Sequence, residues 1–390
     1  MLRQSLLAAL TGILAGLAAT VFLMALAAAT LFREIYPQII YGLPLIGLLI
    51  GWVYHTYGRD SQPGTNLILD EIHRPSRRLP LKMAPLILVS TLLTHLFGGS
   101  AGREGTVVQM GASLSDQLAQ RETPAHRQAL LQAGAGAGFA AAIGAPFAGM
   151  VFGLEVIGTR SQAYLQCAIA ALVGYGTTLL LHAPHTPYPS VHAPAFGGKS
   201  LAIAAVAGVF FGLAARAFVL VTHAVEKLQQ RFVRYPPLRP FVGGVFLLGL
   251  FLLTPTTRYE GLGLPVIQQA LTETVPWWDA PLKALFTALT IGSGFKGGEF
   301  IPLVFIGTTM GSALGYSWLA AVGFSAVFGA AANTPLACAV MGVEIFGWRM
   351  APYALLAGFI AYAVSGHPGI YKSQPRVPPR SVLGWWTKLS

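Results

Sequence analysis

Charge is the scarcest feature of this chain. Asp, Glu, Lys and Arg make up 10% of its 390 residues, 14 acidic against 25 basic, and cysteine occurs only twice, at Cys167 and Cys338. A soluble globular domain carries about 25% charged residues, so so little charge excludes that class. Both cysteines sit in apolar runs, which argues against a disulfide framework or a metal site. HExxH and GxxxxGK[ST] are absent and no Ser/His/Asp grouping stands out, so zinc hydrolysis, ATP coupling and acyl transfer have no support.

What the chain has is apolar length. Hydrophobic residues make up 54% and the mean hydropathy is +0.61. Ser5 to Phe32 carries no charge and exceeds the roughly 20 residues needed to cross a bilayer. Further apolar segments follow, so it reads as a spanning helix and not a cleaved signal. They cover 38–57, 83–98, 128–158, 164–182, 200–225, 240–254, 281–293, 301–347 and 351–365. Several are too long for one span or are broken by Gly and Pro, as half-helices are. The net charge of +11 is concentrated in two connections, Arg59, Arg74, Arg77, Arg78 and Lys82, then Lys227, Arg231, Arg234 and Arg239. Those loops are expected on the cytoplasmic side, with contact to anionic lipid as the alternative and no nucleic-acid partner.

Two blocks repeat. Pro146, Ala148, Gly153, Glu155 and Gly158 recur at one fixed offset as Pro335, Ala337, Gly342, Glu344 and Gly347. Gly102 and Gly111 recur as Gly298 and Gly307, which sets Glu104 opposite Phe300. Duplicated halves with broken helices mark transporters and related channels, whose sites lie near the midplane. Sequence leaves the direction of the second copy open. Glu155 and Glu344 are expected to share a structural role at a helix end.

Four Gly-rich breaks, Gly64-Thr65-Asn66, Gly98 to Gly105, Gly292 to Gly298 and His367 to Tyr371, each precede residues able to start a helix. Helix N-termini present unpaired N–H groups and about half a positive charge, enough to hold a small anion without a lysine. Glu104 lies in the second break, and an ionisable residue at bilayer depth is a functional-site hypothesis by default. Its carboxylate can itself occupy such an anion site and leave it on protonation, exchanging protons for anions. The plainer alternative is that it pairs with Arg103.

GREG at 102–105, GFKGGEFIP at 294–302, the Gly64-Thr65-Asn66 break, Tyr371 and the duplicated Pro/Glu helices, in that order along the chain, resemble the CLC family of anion channels and proton-coupled antiporters. The resemblance runs from about residue 5 to 376. It implies an all-α polytopic membrane protein, a CLC-type inverted-topology repeat whose broken half-helices meet at the midplane. It also implies a homodimer with a separate pore in each subunit. By the same resemblance Glu104 matches the gating and proton-exchanging glutamate, Thr65 and Asn66 fall at the central anion site, and Tyr371 contributes a hydroxyl there. Phe300 and Ile301 lie in the loop that would supply N–H donors.

The chloride branch of that family usually writes GSGIP at the first break, GREGP at the second, and a proton-transfer glutamate after the position of Glu155. Here the corresponding residues are Gly64-Thr65-Asn66, GREGT and Val156, which point to the fluoride/proton antiporter branch. Glu299 resembles a glutamate of that branch with a proton- or fluoride-handling role. Two positions depart from it: the branch usually has Asn or Met at Thr65 and Thr at Ile301. The resulting expectation is export of cytoplasmic fluoride in exchange for protons, without a cofactor, in the plasma membrane (the inner membrane of a Gram-negative cell). A chloride/proton antiporter or passive chloride channel of the same family is the alternative, and a membrane enzyme using Glu104, His73 or Glu299 is the rival from another class.

The expected division is a first repeat at 1–190, a second at 191–376 and a tail at 377–390 whose Trp385 and Trp386 suit the membrane surface. The tail is too short for a regulatory nucleotide-binding domain. Asp70, Glu71 and His73 lack a metal-binding spacing, and Glu71 is expected to pair with a basic loop residue. Lys296 has two readings, attracting anions to a vestibule or snorkelling to the interface.

Overall fold

The computed structural model describes residues 2–157, 163–254, 256–367 and 369–375, so Gly158 and the expected 377–390 tail lie outside the described residues. The described chain forms α1 (Leu2–Ile35), α2 (Leu43–Thr56), α3 (Thr65–His73), α4 (Met83–Leu96), α5 (Glu104–Leu118), α6 (Pro124–Ile143), α7 (Pro146–Glu155) and α8 (Tyr164–Leu180). It continues as α9 (Gly198–Phe232), α10 (Leu238–Leu253), α11 (Leu264–Thr272), α12 (Asp279–Gly292), α13 (Phe300–Ala313), α14 (Ser317–Ala331), α15 (Pro335–Phe346) and α16 (Ala351–Ser365). Among the described residues no strand forms, and the one β-type pairing is an isolated bridge between Gly102 and Gly298.

Long apolar runs become several helices where the backbone is forced to turn. The run at 128–158 breaks at Gly144, which is left-handed at φ 84°, and Pro146 then starts α7 at the position where its missing N–H costs nothing. The run at 301–347 becomes α13, α14 and α15, with breaks at Gly315 and Asn333. Of the sixteen, α1 and α9 are 34 and 35 residues long, about 50 Å at 1.5 Å per residue against a core of about 30 Å, and so must lean. Their apolar length, with that of α2 and its leading turn, is sufficient to cross a membrane.

Helices pack in matching sets. α1 packs on α8 and α6, and α9 packs on α16 and α14; α5 packs on α4 and α6, and α13 on α12 and α14. Eight elements are therefore followed by eight in the same order. Small residues carry the closest crossings in both sets, since a Cβ at Gly111 or Gly307 would overlap the carbonyl of Gly134 or Gly323.

The direction that sequence left open is fixed by α7 and α15. Glu155, at the end of α7, accepts from Leu336 N and Ala337 N at 3.1 and 2.7 Å, while Glu344, near the end of α15, accepts from Phe147 N and Ala148 N at 3.0 and 2.7 Å. Each helix ends where its counterpart begins, so the two run antiparallel and the second copy is inverted. The two carboxylates supply what helix N-termini favour, negative charge and acceptors for bare N–H groups.

Candidate functional site

Two helix N-termini meet head to head. Gly102 N donates to Gly298 O at 2.5 Å and Gly298 N returns the bond to Gly102 O at 2.8 Å. α5 begins two residues beyond the first glycine, at Glu104, and α13 two beyond the second, at Phe300. A side chain at Gly102 would strike Gly298 O and crowd Ile301 N, so the approach needs glycine. Phe300 and Ile301 belong to the first turn of α13, not to the loop expected from sequence. As the first residues of that helix their N–H groups have no intrahelical acceptor.

Glu104 is 1% exposed, and its carboxylate accepts from Arg103 N and Arg103 Nε, both at 3.2 Å. The Arg103 pairing named as the plainer alternative is thus present. Arg103 also reaches outward, its Nη2 donating to Thr186 Oγ1 at 3.1 Å in the linker between α8 and α9. Below Glu104, the Thr106 and Thr91 hydroxyls bond at 2.8 Å, a contact the Pro of GREGP could not make. The Phe300 ring is packed edge-on against Phe139 and Phe328, with centroids 5.4 and 4.6 Å away.

A cavity of about 630 Å³ brings together Thr65, Asn66, Gln109, Lys296, Glu299 and Tyr371. Glu104, Phe300 and Ile301 do not line it. Thr65 is the first residue of α3, after Gly64 at φ 61°. Asn66 has a second task, since its Oδ1 accepts from Ser373 N at 3.0 Å, beside Tyr371.

Tyr371 departs from one expectation. No helix starts after it among the described residues, because residues 369–375 form an irregular strap. Ile370 N bonds to Ala331 O at 2.9 Å, and Gln374, 7% exposed, donates to Val156 O at 2.8 Å and Ala332 O at 2.9 Å while accepting from Asn333 at 2.9 Å. Gln374 escaped the sequence reading because its partners are up to 218 residues away and a glutamine beside a Pro-rich tail gives no signal. Lys283 was also missed, inside an apolar run. It is 0% exposed and donates to Tyr259 O and Gly261 O at 3.1 and 2.8 Å, next to the Arg33–Glu260 pair.

Glu71 pairs with Arg127 at 3.2 Å, at the start of α6 and not in the basic loop as expected; the loop contributes the Ser76 and Arg77 N–H groups instead. Arg127 also holds Asp116 at 2.6 Å, which ties α3, α5 and α6 together. His73 is occupied by Leu69 O and Ile157 O at 2.6 and 2.7 Å.

The nearly all-helical fold has counterparts among known proteins. The family profile described as voltage gated chloride channel matches residues 46–366. The chain belongs to the CLC family. Its members are integral membrane proteins. A relative described as a chloride/fluoride channel protein, from Pseudomonas syringae pv. tomato strain DC3000, is 42% identical over 94% of this chain and 85% of its own. A voltage-gated ClC-type chloride channel, ClcB of Salmonella typhimurium strain LT2, is 27% identical over 95% and 99%. Among solved structures, a CLC-type fluoride/proton antiporter superposes with a TM-score of 0.92 at 33% identity, covering 95% of this chain and 97% of its own. A slow cyanobacterial Cl⁻/H⁺ antiporter superposes at 0.81 and 20% identity over 93% and 94%, a likeness of fold.

Proposed function

We propose that this protein is a fluoride/proton antiporter that exports cytoplasmic fluoride as protons enter, with Glu104 as the gating and proton-exchanging carboxylate. The observation that carries the reading is the buried carboxylate of Glu104 on the first residue of α5, where that helix meets the start of α13. Charged, the carboxylate occupies the positive end of a helix dipole; protonated, it loses that attraction and gives the place to an anion. The likeness of fold and sequence to the fluoride/proton antiporter supports the choice of ion.

Fluoride is small and strongly hydrated, so it must exchange water for short, strong hydrogen bonds. Thr65 and Tyr371 offer hydroxyls, Asn66 its amide NH₂, and Phe300 and Ile301 their first-turn N–H groups. Glu299, which lines the cavity together with Tyr371, passes protons or meets the anion in this reading.

The protein works as a homodimer in the plasma membrane, the Arg/Lys-rich loops facing the cytoplasm. Repeats at 1–190 and 191–376 supply the two half-sites. A passive chloride pathway is the second reading, favoured by the Thr65 hydroxyl and by the chloride/fluoride channel named above.

Fluoride and chloride efflux from proteoliposomes, with proton movement followed on the same sample, tests the proposal. Fluoride should leave with opposing proton flow, and Glu104→Gln should abolish that coupling. Chloride flux of similar size without proton movement would overturn it.

A further inference from the structure

The linker from α8 to α9, residues 181–197, is tied to both sets of helices. His185 Nε2 donates to Ala141 O of α6 at 2.9 Å, and Pro187 O accepts from Gln268 of α11 at 2.8 Å. Tyr188 packs edge-on against Phe324 of α14 with centroids 4.8 Å apart, and the Tyr353 hydroxyl of α16 lies 3.3 and 3.2 Å from Pro194 O and Ala195 O. Thr186 sits between the first two ties, so its neighbours on both sides hold its hydroxyl in place. That hydroxyl accepts from Arg103 Nη2 at 3.1 Å, and Nε of the same guanidinium donates to Glu104 at 3.2 Å. No other acceptor meets the Arg103 side chain among the described residues.

We propose that Thr186 is a positioning residue for the exchange, holding the Arg103 guanidinium so that Glu104 leaves the start of α5 only when protonated. The inference rests on the transport reading above and adds a residue to it. A planar guanidinium with one hydrogen bond can turn about it, whereas bonds from two of its nitrogens to partners on different elements fix its plane. Arg103 and Glu104 are neighbours in sequence, so their bond alone would move with either of them; the linker supplies the fixed point. Held there, the guanidinium gives the charged carboxylate a charge-assisted bond that a competing anion must break. A protonated carboxyl has no negative charge to hold, so the clasp opposes one route of departure and not the other. With the Thr186 acceptor gone, Arg103 can turn aside, and an anion can displace the charged carboxylate without a proton.

Fluoride and proton movement in the same proteoliposomes gives the ratio of the two ions. Thr186→Val, which keeps the shape and loses the acceptor, should raise fluoride moved per proton at least about twofold, and Thr186→Ser should restore the wild-type ratio. Arg103→Gln should raise the ratio too, and the pair Arg103→Gln, Thr186→Val should be no worse than Arg103→Gln alone. A wild-type ratio in Thr186→Val, at whatever rate, overturns the proposal and leaves Thr186 a structural residue, as do additive effects in the pair. Should Thr186→Val not reach the membrane, Thr186→Ala carries the same comparison. If the wild type exchanges chloride and not fluoride for protons, the choice of ion fails, and the same ratio measured with chloride decides the clasp. If the wild type moves an anion without protons, the antiporter reading fails; Thr186→Val should then raise that flux at least about twofold, and an unchanged flux overturns the clasp. If it moves neither ion, phenylglyoxal labelling of the purified protein decides: mass spectrometry should show Arg103 reacting faster in Thr186→Val than in the wild type, and equal rates overturn the clasp.

Discussion

Gln374 holds Tyr371 where a helix would otherwise be needed. Three buried bonds, to Val156, Ala332 and Asn333, fix a strap with no regular structure of its own, and Asn66 adds a fourth tie from α3. If the Tyr371 hydroxyl meets the anion, Gln374 acts through it and the two should not be independent. Tyr371→Phe and Gln374→Ala are each expected to raise the fluoride KM, and the double variant should be no worse than the more severe single one. KM and maximal rate of all three in proteoliposomes check this, and additive losses would deny the link. Glu104 could be picked out in the sequence because a carboxylate beside glycines in an apolar chain carries its own chemistry, and Tyr371 through the family resemblance. Gln374, Thr186 and Lys283 could not, because each is defined by a backbone carbonyl or a side chain brought near only by folding.

The helix ends of the two copies depend on each other. Glu155 and Glu344 each take two N–H groups of the opposite helix, four donors that otherwise lack intrahelical acceptors. Replacing either by Ala leaves two donors at the start of the opposite helix without an acceptor and should cost about 1–3 kcal/mol. Glu155→Ala and Glu344→Ala should therefore lower the melting temperature of the purified protein by similar amounts, and Gln, which keeps an acceptor oxygen, by less. Unequal losses would mean the symmetry is one of shape and not of energy. The Pro-to-Glu block made both helices readable from sequence, down to a shared role for the glutamates. What their spacing could not give was the partner, since a cap and the helix it caps look alike whether the copies run parallel or opposed.

Seen whole, the molecule leaves one face that lipid suits poorly. α7 and α15 have 10 and 12 residues, about 15 and 18 Å, well short of the roughly 30 Å hydrocarbon core. Phe147 and Leu336, at their starts, are 59% and 42% exposed, and the helices packed on them, α8 and α16, expose Leu172 and Phe359. Helix ends at that depth need protein against them. If the proposed homodimer forms through this face, the double variant Leu172→Lys, Leu336→Lys should change the detergent-solubilised particle from two chains of 41.2 kDa to one and leave proteoliposome flux in place. Light scattering gives the mass and proteoliposome flux the activity; a mass that does not fall would place the interface elsewhere.

The reciprocal caps carry a consequence for descent. A half-length chain with this contact would have had no partner for its proline-led helix except a copy inserted the opposite way up. An ancestor built on this contact would be a dual-topology peptide, and gene fusion would make permanent an arrangement that separate chains must find by chance in the membrane.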